Sequence, residues 1–237
     1  MRLLIDFLCR FGWGLSLALA VTPAALVPSG FFRVNLLVVL GLATFASLLE
    51  RTAVPGAAWM LPAAAAVVAW LGSVAWLAER KAAGIAACGV CAVLMAAATV
   101  TAQPRPTPLP LLSGLVVGLT VHAMLLGHWY LNAPGMRVDA LRRMIDLALA
   151  AWAAQTAVTL AAAAANAGVG GRPVDAATMA MVSLRWLAGL VGLPVLLWMS
   201  RKTLDIPNTQ SATGILYVAC IAAIVGELAA QLLQAAS

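Results

Sequence analysis

The residues able to do chemistry in this chain are few, and they sit inside runs that otherwise carry no charge. Arg185 lies about ten residues into an apolar run, too deep to snorkel easily to either surface, and Glu227 lies about two turns from the far end of the next one. Ionisable groups at such depths are costly in lipid and are functional candidates by default. At ~1.5 Å rise per residue the two differ in depth by only several Å, so an Arg185–Glu227 pair is expected. A pair that only neutralises itself and locks the bundle is the competing reading, because buried ion pairs serve switching and specificity as well as structure. His122 and Gln155 each lie about eleven residues into their own runs, entered from opposite sides, which places His122, Gln155 and Arg185 in one layer. A histidine there can shuttle protons or hydrogen-bond a carbonyl, of a ligand or of the next helix.

The other reactive types read differently. His128, Trp129 and Tyr130 close the fifth run as Gly127-His-Trp-Tyr-Leu-Asn132, the composition of an aromatic anchor at the membrane interface. Cys88-Gly-Val-Cys91 is a CxxC inside the fourth run, where thiols act as small apolar residues. No loop carries the partner dithiol a redox relay needs. His122 and His128 share one helix and cannot occupy opposite axial positions on one iron. The remaining acids lie mostly at helix ends, so neither haem nor metal is expected.

The elements that must position these groups are membrane helices. Of 237 residues, 64% are hydrophobic and 9% charged, where a soluble domain carries about 25% charged residues. The net charge of +6 comes from basic residues spread singly or in pairs between apolar runs, the pattern of loop charge rather than of a nucleic-acid surface. Charged or Pro/Gly-rich breaks divide the chain into eight runs near the ~20 residues a span needs: Phe11–Val27, Val34–Leu49, Ala57–Ala78, Ala82–Ala102, Leu111–Tyr130, Met144–Ala165, Ala176–Met199 and Ser211–Leu233. The second is short unless Phe31 and Phe32 join it. The run after Arg2 and Arg10 lacks a clear cleavage site and reads as a retained helix. Eight spans place both termini on one side with Arg2, Arg10, Arg51, Arg105 and Arg172. Arg33, Arg80, Lys81, Arg137, Arg142, Arg143, Arg201 and Lys202 fall on the other. The excess of positive charge makes that second side cytoplasmic and the termini external, in a membrane such as the bacterial inner membrane.

The halves resemble each other. Pro28-Ser-Gly-Phe-Phe-Arg33-Val-Asn35 follows the first run and Pro134-Gly-Met-Arg137-Val-Asp139 the fifth. Arg80-Lys81 ends the third and Arg201-Lys202 the seventh, with Gly84 and Gly214 opening the helices that follow. The offset runs from about 104 to about 121 residues, so insertions fall mainly in the second half. An all-α fold of two parallel four-helix repeats is expected, residues 1–105 and 106–237, with the intramembrane polar groups concentrated in the second. In the seventh connection Asn208, Thr209 or Ser211 is expected to cap the eighth helix.

This plan resembles the eight-helix core of the quinone-reactive membrane anchors of the NrfD and DmsC type, an architectural likeness over nearly the whole chain without a shared motif. The resemblance implies a membrane subunit of a respiratory or electron-transfer complex, with lipid and other subunits as partners and quinone as the ligand. Residue type and depth then place His122 and Arg185 at the quinone carbonyl and Glu227 as proton carrier to the outer face. A small-solute transporter or channel and a structural scaffold subunit are the alternatives; the first suits parallel repeats around a polar midplane. Single cysteines introduced beside Arg33, Arg80, Arg137 and Arg201 should all be labelled by an impermeant maleimide from one and the same side of sealed vesicles; labelling of any two from opposite sides excludes eight spans.

Overall fold

The computed structural model describes residues 1–53, 55–103, 107–133, 137–166, 175–206 and 208–236. Arg105 and Arg172, which enter the charge comparison, and Pro134, Gly135 and Met136 of the second loop motif lie outside the described residues. The described residues form helices and no strands. The helices are α1 (Arg2–Val21), α2 (Ser29–Ala53), α3 (Met60–Leu77), α4 (Lys81–Thr101), α5 (Leu109–Asn132), α6 (Asp139–Asn166), α7 (Ala176–Thr203) and α8 (Thr209–Ala236). All eight are long and apolar enough to cross a bilayer, and a helix satisfies its own backbone where no water can. The protein is therefore an all-α, polytopic integral membrane protein. Eight crossings bring both ends of the chain to one face, the terminal face.

Two boundaries differ from the sequence expectation, and one changes the chemistry. The second helix gains Phe31 and Phe32, both fully buried, and Phe32 stacks on Trp76 with centroids 4.2 Å apart. The first helix starts at Arg2 rather than near Phe11. Arg10 is therefore not a loop charge. It lies in mid-helix and is only 3% exposed.

Each half closes in the same order. In the first, α1 packs on α2, α2 on α3, α3 on α4 and α4 back on α1; in the second, α5 packs on α6, α6 on α7, α7 on α8 and α8 back on α5. The halves meet chiefly where α1 runs alongside α5, one of the most extensive helix pairings in the molecule. Both helices start at the terminal face, so they are parallel. A side chain on Gly14, Gly114 or Gly118 would overlap the opposing backbone, because Gly14 sits on Gly114 and Gly118 while Gly114 sits on the Arg10 carbonyl. Gly114 and Gly118 form a GxxxG spacing, the means by which membrane helices approach closely without a hydrophobic driving force. Trp13 Nε1 donates to the Leu111 carbonyl at 3.0 Å across the same seam. The two glycines matched by the internal likeness sit in different surroundings. A Cβ on Gly84 would press into the Trp76 indole, whereas one on Gly214 would meet nothing within 4 Å.

Helix α7 is irregular. Asp175 caps it, accepting from the Thr178 amide at 3.1 Å. The helix then widens into a π-helical stretch over Arg185–Gly192 before resuming at Leu193. Pro194 follows directly, and proline both lacks an N–H and crowds the carbonyl four residues back, so the turn before it loosens. The face opposite the termini carries exposed and half-exposed ion pairs, Arg201 with Asp146 at 2.9 Å and Arg137 with Asp139 at 2.8 Å. Asn208 caps α8 by accepting from the Ser211 amide at 3.0 Å.

Gly118→Leu should prevent α1 and α5 from meeting. We expect it to yield little detergent-stable protein, consistent with an overpacking cost of at least about 1–3 kcal/mol. Gly41→Ala, where a Cβ meets nothing within 4 Å, should leave the melting temperature near that of wild type, as read by fluorescence size-exclusion after heating.

Candidate functional site

The polar groups inside the membrane do not form the single layer expected. They divide into a charged network with an adjoining cleft near the terminal face, and an isolated histidine deeper in.

The network begins on α1. Arg10 is flanked by glycines and by apolar side chains of α4 and α5, and a guanidinium there has no water to turn to, so it must find acceptors within the protein. Its Nη1 lies 2.7 Å from Glu227 Oε1 on α8, and its Nη2 lies 2.5 Å from Asp6 Oδ2, one turn earlier on α1. Glu227 Oε1 also accepts from Gln231 Nε2 at 2.9 Å and lies 3.0 Å from Ser113 Oγ on α5. Gln103 Nε2, just past the end of α4, donates to Asp6 Oδ1 at 2.9 Å. The glycine seam makes this possible, since Gly114 on the Arg10 carbonyl puts Ser113 within 3.4 Å of Nη1. The network thus runs from a fully enclosed Glu227 to Asp6, whose side chain is 18% exposed.

Glu227 also borders a cleft of about 330 Å3 among α5, α6, α7 and α8. Ser113, Gln155, Arg185 and Glu227 supply its polar groups, and Val116, Val117, Leu190, Leu193 and Ala223 are among its apolar walls. Gly189 in the π-helical stretch and Gly226 beside Glu227 bring α7 and α8 together, and a Cβ on Gly226 would lie 2.6 Å from the Gly189 Cα. Arg185 opens that stretch, half-buried, with Thr159 Oγ1 of α6 at 3.5 Å. It makes no ion pair with Glu227. The sequence expectation of an Arg185–Glu227 pair is corrected to Arg10–Glu227, with Arg185 and Glu227 sharing the cleft instead. Depth along a helix is legible in sequence, but the direction in which a side chain points around it depends on the neighbours.

The cleft has an open flank. Helix α6 packs on α5 and on the Leu193–Thr203 part of α7, while the N-terminal part of α7 and its π-helical stretch pack on α8. Toward the terminal face the outer surfaces of α6 and α7 are bare. Leu160, Met179 and Leu187 are 48%, 57% and 70% exposed. Between these two helices the cleft faces lipid, and the Arg185–Thr159 contact bridges the gap.

His122 does not border the cleft. It is fully buried between α1, α2 and α6, with Nε2 2.7 Å from Thr22 Oγ1 and its ring edge-on to Phe31 at 5.3 Å. Thr22 donates its own proton to the Ala18 carbonyl at 2.7 Å, so Nε2–H is the donor to Thr22 and Nδ1 is left without a described partner. This is a packed core histidine. The aromatic cluster at the other end of α5 is also more structural than an interface belt requires. Tyr130 is buried and its hydroxyl donates to the Arg137 carbonyl, Trp129 meets Phe31 edge-on at 5.7 Å, and only His128 is exposed, with Nδ1 3.0 Å from the Tyr217 hydroxyl. Cys88 and Cys91 are free and fully buried. The groups that sequence reasoning missed are Arg10, Asp6 and Ser113. The available signal was the i,i+4 spacing of Asp6 and Arg10, which makes the pair helical.

Comparison with protein-family models, curated proteins and solved structures finds no match to this chain.

Removing Arg10 should strand Glu227. Arg10→Ala is expected to destabilise the protein by about 3–5 kcal/mol, the cost of one uncompensated buried charge. Arg10→Ala combined with Glu227→Ala should cost less than the sum of the singles, and Arg185→Ala about 1 kcal/mol or less. Denaturation in mixed micelles checks all four; additivity of the first two would exclude a coupled pair.

Proposed function

We propose that the protein is a membrane subunit of an electron-transfer complex that takes a quinone from the bilayer into the cleft between α5, α6, α7 and α8. The observation that carries this reading is the cleft's form, apolar along its walls, polar at one end and open to lipid between α6 and α7. Small-molecule sites in helical bundles have this composition and begin at about 300 Å3. A headgroup carbonyl needs donors, and Arg185 and Gln155 provide them. Arg185 suits the task because no carboxylate already occupies its guanidinium. An isoprenoid tail would leave between α6 and α7, where the helix surfaces match its chemistry. His122 has no part in this site. Glu227 remains the proton-accepting group, with Asp6 as the carboxylate nearer the terminal face. The bare outer flanks of α6 and α7 also offer a surface to other subunits, as the resemblance to quinone-reactive anchors implies.

The reading is tested by reconstituting purified protein with quinone-containing lipid, repurifying it and quantifying extracted quinone. Wild type should retain close to one quinone per chain, and Arg185→Ala at least about tenfold less, the loss expected for one charge-assisted hydrogen bond. A quinone-free wild type, or equal retention by the variant, overturns it.

A further inference from the structure

Resting on that quinone reading, we infer that the cleft is built for the reduced form of its ligand, a para-quinol, in preference to the oxidised quinone. The argument is one of donor and acceptor count at Glu227. Arg10, Ser113 and Gln231 all meet the same oxygen, Oε1. Among the described residues no donor meets Oε2, and Glu227 borders the cleft. Arg10 is not free to supply the missing bond, because Asp6 holds its second terminal nitrogen at 2.5 Å and Glu227 Oε1 holds the first at 2.7 Å.

A carboxylate beside a guanidinium is an acceptor only. The oxygens of a quinone are also acceptors only, so an oxidised headgroup would set acceptor against acceptor and leave Oε2 unmet. A quinol hydroxyl donates to Oε2 directly. The other polar groups of the cleft do not discriminate in this way. Arg185 is a donor and serves the lone pairs of a quinol oxygen as well as those of a quinone, and the Gln155 amide presents one group of each kind. Ser113 is committed to Glu227 and to the Pro110 carbonyl, 3.1 Å away. Selection between the two redox forms therefore falls to Glu227, and the form it selects is the one with a proton to give.

The test is an anaerobic titration of the detergent-solubilised chain with a decyl-substituted benzoquinol and with the matching quinone. The quinol should bind about tenfold or more tightly, which raises the midpoint potential of the bound couple by about 30 mV for each factor of ten. Glu227→Gln puts an amide donor at the same place and should erase or reverse the preference while the quinone still binds. The wild-type ratio decides the matter even if that variant does not fold. Equal affinity, or a preference for quinone, overturns the inference and leaves the quinone site standing. Failure of both forms to bind overturns the site itself.

Discussion

Arg10 and Glu227 stand 217 positions apart in the chain and 2.7 Å apart in space, and much of the bundle is arranged to allow that. A guanidinium in the middle of a first helix cannot reach water, and lipid offers it nothing, so the fold has to carry acceptors to it. Asp6 is supplied locally, one turn away on the same helix. Glu227 comes from the last helix and arrives only because α5 lies between α1 and α8 and touches both. The glycine seam between α1 and α5 is what shortens the span. With Gly114 against the Arg10 carbonyl and Gly118 against Gly14, the Arg10 side chain can pass Ser113 and reach α8. A bulkier seam would hold the two charges apart in a medium where separation is expensive.

The second close approach does for α7 what the first does for α1. Gly189 and Gly226 let the π-helical stretch of α7 lie directly on α8. Pro194 accounts for the loosened turns, and the widened helix places Arg185 over the cleft. Because that part of α7 is drawn to α8, it leaves α6, whose own packing is confined to α5 and the regular end of α7. The lateral opening is a consequence of this exchange of partners. Single-turn π deviations recur at functional sites because they turn one side chain out of the regular helical lattice, and here that side chain is the arginine no carboxylate claims.

The two membrane faces also differ in how their charges are held. Opposite the termini, Arg201, Lys202, Asp146, Asp205 and the Arg137–Asp139 pair are partly or largely exposed, where ion pairs contribute little and mainly position loops. Near the terminal face, Arg10 and Glu227 are each 3% exposed at the side chain, where losing one partner leaves a charge with no solvent. The same residue types thus anchor loops on one side and form a buried network on the other. Only the second arrangement can respond to a proton or a headgroup within the membrane.

The sequence by itself determined the solvent, the number of crossings and the cap of α8, because hydropathy and capping are local properties of the chain. It determined that Arg185, Gln155 and Glu227 lie at depths where they can share a site, since depth follows from counting along a helix. It did not determine partners. Arg10 reads in sequence as a loop charge because apolar residues become continuous only after it, and it took α4, α5 and α8 closing around α1 to make it a buried one. His122 reads as part of the polar layer because its depth fits, but its rotation about α5 turns it toward Thr22 and Phe31 and away from the cleft. Which residue meets which across helices depends on rotation, register and the few positions where glycine lets two backbones touch, and in a chain this rich in Ala and Leu those become definite only when all eight helices are packed.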